Sequence, residues 1–217
     1  MSEASPEMSA LEVLTTTRSV RKRLDLEQPV PLSDIRGAVE IALQAPSGGN
    51  LQGWKWIAVE DSKVKTQLAE LYRRFYSTYR EHLVAEQSAD SIAVAQTLEG
   101  GDRLAANLHD VPWLVVPCIT GPMGRSDTGM AAFGQAMTWA SIYPAVWSFQ
   151  LALRARGLAS CITTNHLAFE REAAEILNVP YETTNQAALI PVARSIGSGF
   201  RQATRRPPEE VLAIDCW

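Results

Sequence analysis

The 217-residue chain has ordinary hydrophobic content (46%), ordinary charged content (20%) and a formal net charge of −4. It is long enough for one large domain or two small ones with a real core, and its charge gives no electrostatic case for a nucleic-acid surface. Three scattered cysteines (Cys118, Cys161, Cys216) and three scattered histidines (His82, His109, His166) argue against a disulfide framework and a tetrahedral zinc site, so a reducing cytoplasm is the expected compartment.

Met1 to Ala10 is polar and acidic, with no basic stretch leading into an apolar run, so no secretory leader is expected. Residues 9–16 read as a short helix that leads to the basic cluster Arg18, Arg21, Lys22 and Arg23. After Pro29 and Pro31, Ser33 can cap a helix whose apolar face is Ile35, Val39, Ala42 and Leu43. Trp54 to Val59 alternates as a strand. Residues 62–88 are helical, with Leu68, Leu71, Tyr72 and Phe75 as the apolar stripe. Leu71 and Phe75 belong to a core-facing row, while Tyr76 and Tyr79 fit a core border and a pocket cover equally.

Trp113 to Ile119 is a nearly all-apolar strand, too short to span a bilayer and suited to the centre of a covered sheet. A Gly-rich loop is expected at 120–130. The helix after it, roughly 131–156, is apolar on most of its surface, which places it in a large core or a subunit interface. Arg154 and Arg156 close its last turn and Gly157 stops it. Ala159 to Thr164 is a short strand or turn, 168–178 a helix and Gln186 to Arg194 an apolar strand; from Ile196 onward the chain is loop-like. Helices and strands without regular alternation indicate an α+β sandwich, not a doubly wound sheet, and no dinucleotide or Walker loop is present.

Four segments concentrate chemistry. Arg18-Ser19-Val20-Arg21 suits an anionic group, because guanidinium presents a fixed fork of donors, though alone it is a solvated basic turn. Pro46-Ser47-Gly48-Gly49-Asn50 suits close backbone approach to something flat or charged, though alone it is a helix-to-strand turn. Gly157 to Thr164 brings small and hydroxyl residues after a helix stop, which also fits a cap and a buried strand. Arg205-Arg206-Pro207 lies in a proline-stiffened tail and by itself is only a charged tail.

In this order and spacing, the four segments resemble the FMN-dependent nitroreductase family, which includes flavin reductases and the iodotyrosine deiodinases, with the actinobacterial-type branch the nearest in pattern. The residues that carry the resemblance are Arg18-Ser19-Val20-Arg21, Ala45 to Asn50 with Gln52 and Trp54, Pro144-Ala145-Val146-Trp147 leading to Gly157-Leu158-Ala159-Ser160, and Arg205-Arg206-Pro207 with Glu209, Glu210 and Val211. The resemblance implies one domain over residues 1–217, built as a three-layer α/β/α sandwich around a mostly antiparallel sheet and paired as an intertwined homodimer. Residues 62–110 would be a helical excursion or lid, and 196–217 an extension wrapping the partner. Arg18, Ser19 and Arg21 would hold the phosphate and ribityl chain of FMN, with Arg205 as a second phosphate contact. Pro46, Ser47, Gly48 and Asn50 would approach the flavin from the partner subunit. Ile162, Thr163 and Thr164 would lie along the ring, with Thr164 at N5.

The implied activity is a ping-pong transfer of hydride from NADH or NADPH through flavin N5 to a nitroaromatic, quinone or similar acceptor, with the cofactor carrying the chemistry and no side-chain nucleophile or metal needed. Alternatives are an FMN-dependent dehalogenase, another specialised flavin oxidoreductase of this fold, and a non-catalytic flavin-binding protein. Departures from the family pattern are Thr17 for the first arginine of a pair, Gly53 for a common proline, which would loosen the strand entry, and Ala159 for a frequent glycine.

Overall fold

The structure is a computed structural model that describes residues 8–86, 92–120, 131–197 and 199–216; the loop expected at 120–130 falls almost entirely outside them. In chain order the elements are α1 (Ala10–Thr16), β1 (Leu24–Asp25), α2 (Leu32–Ala42), β2 (Trp54–Val59), α3 (Ser62–Glu86), α4 (Ile92–Asn107), β3 (Trp113–Thr120), α5 (Ala131–Ala155), β4 (Leu158–Ser160), α6 (Glu170–Leu177), β5 (Thr184–Gln186) and β6 (Ile190–Ser195). The six-stranded sheet runs β1-β6-β3-β2, with β4 added on β6 and β5 on β3, and every strand pair is antiparallel.

Strand β3 is the spine. Because successive side chains point to opposite faces, Leu114, Val116 and Cys118 enter one core while Trp113, Val115 and Ile119 enter another. The first core is closed by Leu68, Leu71, Tyr72 and Tyr76 of α3 and Leu104 of α4. The second is closed by Ile35, Ala38 and Ala42 of α2 and by Ile142, Val146, Phe149 and Leu153 of α5. Helices therefore cover both faces, which is the expected three-layer sandwich. Among the described residues no helix is long and apolar enough to cross a membrane.

Several local expectations change. Helix α2 starts at Leu32 directly after Pro31, and Ser33 does not cap it; proline's fixed φ already suits the entry to a helix. Leu43 lies past the helix end and is 42% exposed, while Ala38 takes its place in the core. On α3 it is Tyr76, not Phe75, that is fully packed, because the buried row continues at four-residue spacing from Leu68 through Tyr72. The 168–178 helix begins as a 3₁₀ turn over Asn165–Phe169 and becomes α-helical only at Glu170.

The single strand expected at Gln186 to Arg194 is two strands, β5 and β6, at different stations along β3. The gap lies opposite Pro117. Its carbonyl accepts from the Ala187 amide (2.8 Å), but proline has no N–H to return on that side, so the ladder stops. The α5 stop is as expected, with Gly157 at φ +74°. Helix α5 also leaves Phe133 (61%), Tyr143 (37%) and Trp147 (42%) exposed, so one protomer's core does not account for all its apolar surface.

Gly53 does not loosen the entry to β2. Its carbonyl accepts from both the Thr120 amide (2.8 Å) and the Thr120 hydroxyl (3.0 Å). A Cβ at Gly53 would lie 2.6 Å from the Thr120 carbonyl oxygen, so alanine or proline fits only if this strand end shifts. Gly53→Ala is expected to destabilise the fold by about 1–3 kcal/mol, as overpacking does. Thermal denaturation checks this, and an unchanged Tm would refute it.

Candidate functional site

The segment carrying Arg18 to Arg21 is stitched to β4. The Val20 amide donates to the Ser160 carbonyl (2.9 Å), and Ser19 pairs with Ser160 in a parallel bridge. Beyond β4 the chain is tied again, by two hydrogen bonds between Thr163 and Leu189 (3.1 and 2.8 Å). Leu189 lies in the interval between β5 and β6, where β3 is not paired with it. These two ties bring Arg21 together with Ile162, Thr163, Thr164 and Asn165 around a cavity of about 320 Å³, completed by Tyr72, Tyr76 and Tyr79 of α3 and by Gly101 of α4.

The other predicted residues lie elsewhere. Arg18 sits at the start of the stitched segment, where its guanidinium donates to three carbonyls, of Thr15 (2.8 Å), Thr17 (2.6 Å) and Arg201 (2.6 Å). That joins the end of α1 to the root of the tail and leaves two of its five N–H donors for another ligand. Ser19 is exposed beside it. Arg205 lies four residues beyond Arg201, exposed, with one bond to the Thr204 carbonyl (3.0 Å).

The Pro46–Asn50 loop does not line the cavity. It packs against α5, where the Gly48 amide donates to Ser141 Oγ (2.9 Å) and a Cβ on Gly48 would sit 3.0 Å from Met137 Cγ. Gly49, Asn50 and Gln52 all have left-handed backbone (φ +59°, +54° and +49°). Gln52 holds the turn closed by donating from Nε2 to Asn50 Oδ1 (2.9 Å) and from its amide to Ser47 Oγ (3.1 Å).

The cavity is cationic and aromatic. Arg21 lines it, and no described lining residue is a carboxylate. Burial, with Cys161 nearby, pushes the Tyr72 phenol up to about 12, against the opposing effects of Arg21 and a hydrogen bond with Thr163. Cys161 is fully buried and its thiol is also pushed up to about 12 by desolvation, so it packs and does not react. Tyr76 donates to Asp102 Oδ1 (3.0 Å), with the Leu98 carbonyl 3.2 Å away. Arg80 forks onto the same carboxylate (2.7 and 3.2 Å) and holds Asp102 below the usual carboxylate range.

Tyr72, Asp102 and Gly101 were not visible as site residues in the sequence. Tyr72 is one of a helical stripe, and Asp102 and Gly101 become relevant only once α4 is laid against α3.

The fold is a three-layer α+β sandwich with a cavity between a basic stitched segment and paired threonines. The chain belongs to the nitroreductase family, whose sequence model matches residues 14–194. It is 36% identical over 76 residues to iodotyrosine deiodinase of Thermotoga neapolitana, a stretch that is 35% of this chain and only 40% of that relative's length. Two solved structures share the fold. One is oxidized iodotyrosine deiodinase bound to FMN and 3-iodo-L-tyrosine (TM-score 0.67, 22% identity, 91% of this chain and 95% of that one). The other is the FMN and NADPH-dependent nitroreductase NfnB from Sphigopyxis sp. strain HMH (TM-score 0.66, 20% identity, 97% of this chain and 100% of that one). At these identities the likeness to the two structures is one of fold.

His166 follows the cavity segment directly. It is completely buried, and neither ring nitrogen has a close partner among the described residues. Burial lowers its pKa to about 4, opposed only in part by Gln186. The folded state therefore keeps the ring neutral where the unfolded chain takes a proton. Stability is full above pH 6.5, falls as pH drops from 6.5 towards 4, and is flat below that for this group, with about 3 kcal/mol lost across the window. Denaturation midpoints followed from pH 7 to pH 4 test this, and His166→Gln should remove that part of the slope.

Proposed function

We propose that the protein is an FMN-dependent oxidoreductase that accepts hydride from NADH or NADPH and passes electrons to a nitroaromatic, quinone or similar ring acceptor. The observation that carries this reading is the convergence of Arg21 with Ile162, Thr163 and Thr164 on one cavity, held by the Ser19–Ser160 and Thr163–Leu189 ties. The donor set suits the cofactor. Arg18, Ser19 and Arg21 offer forked and hydroxyl donors to a phosphate and a polyol chain, with Arg205 as a further charge. Ile162 offers an apolar surface and Thr163 and Thr164 hydroxyls to a flat ring. FMN, when bound, supplies the hydride chemistry. The chain's own residues bind and orient it, and the buried, protonated Cys161 leaves no thiolate to compete.

The Pro46, Ser47, Gly48 and Asn50 side of the site is assigned to a second copy. This assignment rests on the loop's residues not lining the protomer's own cavity and on exposed apolar surface. Leu11 (70%) and Leu14 (55%) of α1 and Phe133 and Trp147 of α5 are exposed, and among the described residues edge strand β2 has one unpaired side. The tail from Ile196 exposes Val211, Leu212 and Ile214, apolar residues suited to covering a partner. An isologous dimer uses both copies of such surfaces at once. The cytoplasm is the proposed compartment, in keeping with three cysteines that are all free thiols.

A second reading, an FMN-dependent dehalogenase, is favoured by the stretch shared with the Thermotoga deiodinase. An amino-acid substrate carries an ammonium, whereas the described lining presents the Arg21 cation. A cationic lining suits neutral or anionic ring acceptors.

Purified protein is expected to be yellow and to oxidise NADH or NADPH faster with a nitroaromatic present than with 3-iodotyrosine; the reverse preference would favour the dehalogenase. Bound flavin without turnover on any acceptor would leave a non-catalytic flavoprotein. Arg205→Ala should weaken FMN binding roughly tenfold to a hundredfold, the loss of a charge-assisted contact. Arg18→Ala combined with Arg205→Ala should purify colourless. A folded double variant, judged by circular dichroism, that keeps full flavin occupancy overturns the phosphate assignment.

A further inference from the structure

A second cavity, of about 440 Å³, opens at the margin of the first core. It shares no described lining residue with the cavity around Arg21. Its floor is three strands wide: Lys55 and Ile57 of β2, Cys118 and Thr120 of β3, and Thr184 of β5. Lys55 stands opposite Cys118 and Thr120 opposite Thr184, so alternate residues of neighbouring strands meet on one face of the sheet. Its wall is the end of α6 and the turn after it, Leu177 to Pro180. Asn178 is left-handed there (φ +53°), and the Val179 amide returns to the Ala174 carbonyl (2.8 Å), so the wall is a fixed helix cap.

Most of the lining is apolar. Cys118 belongs to the first core, and Ile57, Leu177 and Val179 pack against it. Burial pushes the Cys118 thiol up to about 12, so it adds polarisable surface and no charge. No described lining residue is aromatic or acidic. Two polar groups are left over. Thr184 is 4% exposed, and among the described residues its Oγ1 is buried without a hydrogen-bond partner. An orphaned hydroxyl of this kind costs stability until something answers it. Neighbouring Thr120 has already donated its own hydroxyl to the Gly53 carbonyl (3.0 Å). Lys55 is exposed at the rim and forms no ion pair among the described residues. An apolar cavity of this size with a few placed polar groups is the common form of a small-molecule site.

We propose that this cavity binds an aliphatic monocarboxylate of medium chain length, whose carboxylate accepts from the Thr184 hydroxyl and pairs with Lys55 while its chain lies against Ile57, Leu177 and Val179. One compact ammonium matches one negative charge, whereas phosphate recognition favours forked or multiple donors. The chain is aliphatic and not a flat ring because the lining has no aromatic face to stack on, in contrast to the tyrosine wall beside Arg21. The site stands independently of the functional reading above, since no residue assigned to the cofactor takes part in it.

Calorimetric titration of the full-length protein in excess FMN with hexanoate, octanoate and decanoate tests this. One saturable site per chain is expected, tightening roughly fourfold for each added methylene until the cavity is full. Octanol, which has the chain without the charge, should bind at least about tenfold more weakly than octanoate. Lys55→Met keeps the stem, removes the charge and should weaken octanoate binding roughly tenfold. Thr184→Val keeps the shape and removes the orphaned hydroxyl. It should weaken octanoate binding roughly three- to tenfold while Tm does not fall, a combination that a purely structural role would not give. No saturable octanoate binding to the full chain, whether the cavity stays empty or a second copy covers it, overturns the proposal. So does binding that both variants leave unchanged, or that a nitroaromatic displaces, since the carboxylate then sits in the cavity around Arg21.

Discussion

The fold depends on one strand that is buried on both faces. Strand β3 sends alternate side chains into two separate cores, and neither helical layer has an apolar surface to rest on without it. Its own irregularity then shapes the site. Pro117 interrupts hydrogen bonding on the side facing the late strands, which divides one apolar stretch into β5 and β6. Leu189, in the interval, spends both its backbone groups on Thr163 instead. A missing N–H in the middle of the sheet thus leads to the fixed position of the threonine pair at the cavity.

The electrostatics of that cavity follow from what is absent as well as what is present. Arg21 is not opposed by any described carboxylate in the lining, and burial raises the pKa of the Tyr72 and Tyr76 phenols. The one nearby acid, Asp102, is turned to structural use between Tyr76 and Arg80, so that it ties α3 to α4 instead of charging the cavity. Helix α3 carries core residues along the same length that faces the cavity. Arg18 shows a similar double use. Its three carbonyl bonds fasten the tail root to α1 while spare donors remain, so the residue proposed for phosphate binding also sets where the tail leaves the body.

Much of the architecture was legible in the order of residues. The alternation in Trp54 to Val59, the apolar run at Trp113 to Ile119 and the Gly157 stop each encode local geometry, and each element formed where the pattern placed it. Element boundaries were less legible. The absence of a Ser33 cap and the split at Pro117 depend on neighbours: proline's own φ served the helix start, and the break in the late strand arises from a residue on a different strand. Gly53 is the clearest case. In sequence it is a substitution that loosens a strand, and in space it is the only kind of residue that fits against the Thr120 carbonyl without a shift.

The site divides along the same line. Arg18 to Arg21 and Ile162 to Thr164 stand out only when the four segments are taken together in order, since each alone reads as a basic turn or as a cap and buried strand. Tyr72, Gly101 and Asp102 carry no such mark, since a tyrosine in a helical stripe and an acid on a polar helix face satisfy purely local rules. Periodicity specifies which face of an element is apolar. Which element that face meets, and which polar groups are trapped or left over when it does, is decided by packing between residues far apart in the chain. The amino-acid order by itself determined the elements, the two-faced sheet and the residue types that meet at the cavity. Only the tertiary structure decided that Thr163 is locked by Leu189, that Tyr76 is bound to Asp102, and that the Pro46–Asn50 loop does not line its own protomer's cavity.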